Sequence, residues 1–389
     1  MRWRTTGADV TGLSFSDSRA RQGRERTLPK NIVICCDGTD NDVAKDSTNI
    51  LRLYRMLCRD QRQVAYYDPG VGTLVNPFAI SRLRKYIGRR VDAAIGYRVR
   101  DNVVAAYLFL ARNYLPGDSI YLFGFSRGAY TVRALAGMIH FLGLVRPELE
   151  NLGGLARALY CNEDHGYAVS RRFAGGNRFN VAFGVVPKPT VHFVGVFDTV
   201  SSFGWIWDFE TLPFTADNPS VTHIRHALAI DERRACFPAN VFVPDENQKG
   251  NCKQVWFAGV HADVGGGYPE ENSSLAKVPL AWMLREAEAL GLFIDEVERE
   301  RLTDSKEKPP ADPLGAANES LQGVFWWVIE CLPRRSWDNE AKRMRWHAPN
   351  LGRRRTIEPG SVIHVSVVER MKQKGYAPAN LPKEYRVEV

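Results

Sequence analysis

One stretch limits this chain more than any other. Gly124-Phe-Ser-Arg-Gly128 follows the apolar run Ser119-Ile-Tyr-Leu-Phe123 and precedes a helical pattern in which Ala129, Val132, Leu135, Ala136 and Ile139 share a face. A strand that turns this sharply into a helix leaves room only for small residues two before and two after the serine. The turn holds the serine in a strained backbone conformation with its hydroxyl exposed, and the helix N-terminus behind it supplies partial positive charge. This context predicts a nucleophile elbow with Ser126 as the nucleophile and the Arg127 amide facing a developing oxyanion.

The surrounding pattern fits such an elbow. Asn31-Ile-Val-Ile-Cys-Cys36 reads as a fully buried strand that ends in the turn Asp37-Gly38-Thr39. Helical spacing covers 47–57, strand signals cover 64–67, and a helix is expected over about 98–114, stopped by Pro116-Gly117. Strands are expected at 191–197 and 254–260, and an amphipathic helix at 275–290. Alternating strands and helices predict an α/β class: an α/β-hydrolase-like, mostly parallel sheet with helices on both faces and a C-terminal insertion or lid. Residues 1–28 read as a disordered basic arm, 29–302 as the catalytic core, and 303–389 as an accessory or lid segment with the C-terminal part of the core.

Composition narrows the function classes. The net charge of +8 suits peripheral contact with an anionic membrane, but no aromatic-interleaved basic motif or zinc-finger spacing accompanies it, so no nucleic-acid partner is expected. The run Arg353-Arg354-Arg355 reads as a solvated face. No uninterrupted apolar stretch reaches eighteen residues; Val324-Phe-Trp-Trp-Val-Ile-Glu-Cys-Leu332 is too short to span a bilayer and reads as a buried core segment rather than an interfacial one. The N-terminal arginines lack an apolar h-region, so no signal peptide is expected and the chain reads as cytoplasmic when synthesised. Seven irregularly placed cysteines predict buried free thiols, with Cys35 and Cys36 pointing to opposite faces of their strand. No metal and no organic cofactor is called for.

A serine hydroxyl needs a base, and the base needs an orienting carboxylate. Asp198, in Val196-Phe-Asp-Thr-Val200, directly follows a predicted strand and is the first carboxylate candidate. His261 follows another and opens the glycine-rich loop His261-Ala-Asp-Val-Gly-Gly-Gly-Tyr268, making it the first candidate base. His364, inside an apolar run, is the alternative base, and Asp263 the reserve carboxylate. His223 and His226 are further candidate bases; they could share a helix face, but no third ligand lies near them in sequence for a metal. The Gly38 or Thr39 amide is the natural second oxyanion donor. A phosphatase built on Asp-x-Asp-Gly-Thr fails here, because Cys35 stands where the nucleophilic aspartate would be.

Several phrases together resemble a known family: Cys36-Asp-Gly-Thr39, Phe123-Gly-Phe-Ser-Arg-Gly-Ala-Tyr-Thr131 with Arg133-Ala-Leu-Ala-Gly-Met138, and Val196-Phe-Asp-Thr-Val200. His226-Ala-Leu-Ala-Ile-Asp-Glu-Arg233 and Trp256-Phe-Ala-Gly-Val-His-Ala-Asp-Val-Gly-Gly-Gly-Tyr268 extend the likeness over about 31–290, and His364-Val-Ser-Val resembles a late element. The whole resembles the α/β-hydrolase domain of type VI secretion lipase effectors of the first family. That resemblance implies a Ser-Asp-His triad and phospholipase A activity on bacterial membrane lipids, with Ser126, Asp198 and His261 falling in the matching motifs. It also implies delivery out of the cell, with a secretion-system or immunity-protein partner. Trp205, Trp207, Trp326 and Trp327 are candidate lipid contacts. A soluble esterase or thioesterase, or a non-catalytic interaction protein on the same fold, are the alternatives.

Overall fold

The computed structural model describes residues 28–38, 47–70, 84–161, 169–200, 212–246, 248–304, 308–331, 334–338 and 343–389. Its centre is an eight-stranded sheet, parallel throughout. The strands are β1 (Asn31–Cys36), β2 (Gln63–Asp68), β3 (Ser119–Phe125), β4 (Val191–Phe197), β5 (Val221–Ala229), β6 (Cys252–Phe257), β9 (Val362–His364) and β10 (Arg386–Glu388), in the order β10-β9-β6-β5-β4-β3-β1-β2. A separate antiparallel pair, β7 (Arg334–Asp338) and β8 (Arg343–His347), lies between β6 and β9 in the chain.

Strand alternation sorts side chains onto the two faces. Ile32, Ile34, Cys36, Ile120, Leu122, Val194 and Val196 pack with α2 (Arg84–Asn113), α3 (Arg127–Leu142), α4 (Gly153–Cys161) and α5 (Val169–Phe183). Val33, Cys35, Tyr121, Phe123, Phe193 and Phe197 pack on the other face with α1 (Asn49–Met56), α7 (Lys277–Glu288) and α8 (Glu296–Thr303). The adjacent thiols therefore do point opposite ways, and both are buried and unbridged. Near the β10 edge, Trp256, Ile357, Ile363 and Val367 of α10 (Val365–Lys374) form a third cluster.

Three expectations change. The helix expected from 98 begins at Arg84. The segment carrying His223 and His226 is the strand β5, so residues three apart lie on opposite faces: His223 meets the His192 ring, whereas His226 meets Phe242. Val324-Phe-Trp-Trp-Val-Ile-Glu330 forms the short helix α9, on which Val324, Trp327 and Val328 are exposed rather than buried.

Sheet order positions the site. The chain passes from β1 to β2 at one edge and then returns to β3 on the other side of β1. Reversing direction there opens a crevice beyond the carboxyl ends of β1 and β3. Ser126 lies immediately beyond β3, at that crevice.

Candidate active site

The elbow is as tight as its sequence requires. Ser126 has φ 56° and ψ −120°, a sparsely populated conformation for a residue with a Cβ, and its amide donates to the Phe197 carbonyl at 3.1 Å. A Cβ on Gly124 would come within 2.5 Å of the Gly128 carbonyl oxygen, and one on Gly128 would overlap the Cys36 carbonyl at the end of β1. The two glycines thus let β3 run directly into α3 against the neighbouring strand.

Asp198 and His261 arrive from the ends of the next strands. Asp198 follows β4 with φ 39°, its amide donating to Ala227 O at 2.7 Å. His261 opens the short helix α6 (His261–Gly265), and its amide donates to Glu232 Oε2 at 3.1 Å. His261 Nδ1 lies 2.5 Å from Asp198 Oδ2, and its Nε2 lies 2.8 Å from Ser126 Oγ. With an ionised Asp198 able only to accept, Nδ1 carries the proton and Nε2 accepts from the serine hydroxyl. Phe125 and Phe237 flank the imidazole with ring centroids 4.7 and 4.9 Å away. Gly265 is needed beneath this stack, because a Cβ there would overlap the Phe125 ring.

Burial pushes the His261 imidazole below its ordinary value, opposed by its bond to Asp198. Burial alone would raise the Asp198 carboxyl; Arg355 and His261 outweigh it and hold it well below the usual carboxylate range. Glu232, also buried, is held down at about 2 through its bonds to Arg234.

The remaining sequence candidates are placed elsewhere. Asp263 is bonded to the Val260 amide at 3.0 Å and to the Asn318 side chain at 2.6 Å, within its own helix turn and a neighbouring loop. His364 caps α10, with Nδ1 2.8 Å from Ser366 Oγ, and its ring stacks on Phe257. Arg127 is the first residue of α3, adjoining Ser126. The Gly38 amide donates to Asp37 Oδ1 at 2.7 Å, while Asp37 Oδ2 accepts from Thr48 Oγ1 at 2.5 Å and Tyr67 OH at 2.8 Å. Thr39, Trp205 and Trp207 lie outside the described residues. Among the described residues no group of three or more His, Cys, Asp or Glu side chains is gathered as a metal site.

Sequence reasoning missed two neighbours of the relay. Arg355, read as part of a solvated run, has its side chain buried against Asp198, whereas Arg353 and Arg354 are exposed, Arg354 reaching Asp231 at 2.6 Å. Glu232 lay inside a quoted motif but carried no sign of its bond to the His261 amide.

The family described as "T6SS, Phospholipase effector Tle1-like, catalytic domain" matches residues 30–286. The chain belongs to that family. The match takes in β1 to β6 and the elbow, Asp198 and His261 with them. A protein of Saccharomyces cerevisiae, "Uncharacterized protein YEL023C", is 34% identical over 225 residues, 55% of this chain and 33% of that protein. The matched part therefore spans about a third of that relative's length, at 33%. The crystal structure of an uncharacterized protein from Pseudomonas aeruginosa is similar with a TM-score of 0.42 at 20% identity, over 68% of this chain and 46% of that one. The structure of the Tle1 effector bound to the VgrG spike from the type 6 secretion system gives a TM-score of 0.34 at 20% identity, over 64% and 53% of the two chains. Among the described residues no helix is long and apolar enough to cross a membrane.

Proposed function

We propose that the protein is a serine ester hydrolase of the phospholipase A type, acting through an acyl-enzyme. The observation that carries this reading is the continuous relay from Ser126 Oγ through His261 to Asp198, with separations of 2.8 and 2.5 Å. His261 Nε2 takes the hydroxyl proton as Ser126 Oγ attacks the ester carbonyl, and Asp198 stabilises the imidazolium that forms. The protonated imidazole then gives its proton to the leaving alkoxide. Water enters against the same base, attacks the acyl-serine and frees the carboxylic acid. The Arg127 amide, at the positive end of α3, receives the oxyanion. The Gly38 amide, the other donor offered by the sequence, is engaged by Asp37 Oδ1 at 2.7 Å. The scheme draws on this chain's own residues for each proton transfer.

A lipid is favoured as substrate by family membership and by α9. Trp326 of this helix packs on Phe237, which packs on His261, while Val324, Trp327 and Val328 are exposed beside it. An apolar, Trp-bearing helix linked to the His261 ring through Phe237 suits docking on a bilayer, and the charge of +8 suits an anionic one. The family extends the proposal to a type VI secretion effector with spike and immunity proteins as partners.

The test is release of fatty acid from anionic phospholipid vesicles, run beside a short-chain aryl ester, with the native chain and Ser126→Ala. The expected result is fatty-acid release that falls by at least about a thousandfold in the variant. Serine-dependent cleavage of the aryl ester alone would replace the lipid by a soluble ester. Absence of serine-dependent release from both would leave a hydrolase-fold binding protein.

A further inference from the structure

Asp198 is fully buried and has more partners than the orientation of one imidazole requires. Arg355 closes on both of its oxygens, with Nη1 2.6 Å from Oδ1 and Nη2 2.9 Å from Oδ2. The guanidinium is itself fixed: Nε and Nη2 donate to Phe237 O at 3.0 and 2.7 Å, and Nη1 donates to Ala229 O at 3.1 Å. The Ala229 amide completes the set by donating to Asp198 Oδ1 at 3.0 Å. The Arg355 side chain is only 6% exposed, so this is a dry, forked ion pair rather than a screened surface one. Arg355 also lies beyond residues 30–286, the part matched by the family.

We propose that Arg355 is a positioning residue for the ester hydrolysis proposed above, on which this inference rests: by clamping Asp198 it aligns His261 with Ser126 and keeps the imidazole neutral to lower pH.

Two effects follow from one contact. A carboxylate gripped on both oxygens cannot rotate, so the imidazole it holds points Nε2 at Ser126 Oγ. A cation sharing that carboxylate, with Nη2 on the same Oδ2 that holds His261 Nδ1, also offsets the attraction between Asp198 and an imidazolium, so His261 gives up its proton more readily. The other charges facing His261 are Glu232, on its amide, and Arg234. These two are paired with each other at 2.8 Å, whereas Asp198, the carboxylate that Arg355 grips, is bonded directly to the ring.

The experiment uses the full chain with Arg355→Met, which removes the charge, and Arg355→Lys, which keeps it without the fork. Titration of the His261 ring is followed by NMR, and kcat/KM for the aryl ester is measured against pH, with circular dichroism reporting the fold. In Arg355→Met the His261 midpoint and the acid limb are expected to rise together by about one pH unit. The plateau is expected to fall about 100-fold, as for a slightly misplaced catalytic group. Arg355→Lys should keep the limb and lose about tenfold on the plateau, since a point charge replaces the planar fork. Folded variants with native midpoint and plateau would overturn the proposal, as would a lower melting temperature accompanied by neither change. If the methionine variant does not fold, the lysine variant decides by its plateau alone. Should the native chain show no Ser126-dependent turnover, the hydrolase reading fails separately, while the NMR midpoint still tests the charge coupling.

Discussion

At the scale of single residues, the relay works through the order in which its groups hold protons. Burial depresses the His261 pKa below 6.5, so the neutral base is present at lower pH than for an exposed histidine. The proposed hydrolysis should be lost as pH falls through this lowered value and retained above it. A pH profile of kcat/KM for a water-soluble ester should therefore show an acid limb with its midpoint below 6.5; a midpoint above 7 would mean that Asp198 dominates the desolvation. The positions of Ser126, Asp198 and His261 were legible in the sequence because each follows a strand directly, where a parallel sheet gathers its polar chemistry. Arg355 was not. Its carboxylate partner is 157 residues away in the chain, and a run of three arginines looks the same locally whether one of them is buried or all are solvated. The Gly38 amide is a similar case, since a tight turn in sequence does not reveal that Asp37 folds back on it.

At the scale of elements, the elbow depends on the approach of three backbones rather than on side-chain packing. A Gly128 Cβ would overlap carbonyl oxygens of Cys36 and Asp37, and no rotamer change can relieve a clash with backbone. Gly128→Ala should therefore lose esterase activity and lower unfolding free energy by about 1–3 kcal/mol in a urea titration. Gly154→Ala is the comparison, because a Cβ there meets nothing within 4 Å; it should be neutral or stabilising by up to about 1 kcal/mol. Equal losses in the two variants would show that helix propensity, not the close approach, explains the glycine. Element legibility followed burial on both faces: β1, β3 and β4 read as continuous apolar runs because helices cover them on each side. The β5 strand did not read this way, since Thr222, His223, Arg225 and His226 interrupt it. Those polar groups are tolerated through distant partners: Arg225 lies 2.5 Å from Glu286 of α7, and His226 contacts Gln254 of β6.

At the scale of the whole molecule, the family match ends at residue 286 while the sheet continues. β9 pairs with β6 and β10 with β9, so the C-terminal region completes one edge of the sheet. Ile357, Ile363 and Val367 cover Leu228, Ile230 and Trp256, and burying each such aliphatic side chain contributes about 1.5–3 kcal/mol. The same region brings Arg355 to Asp198. A chain ending at residue 302 would thus expose an apolar cluster, open the β6 edge to pairing with other copies and leave a buried carboxylate without its arginine. Size-exclusion chromatography should show that chain as soluble aggregates or a precipitate, and a fluorophosphonate probe should no longer label Ser126. A monomer with the native melting temperature and full labelling would instead make 303–389 an appendage. Retained folding with lost labelling would separate the two contributions, assigning the region to the relay more than to the sheet.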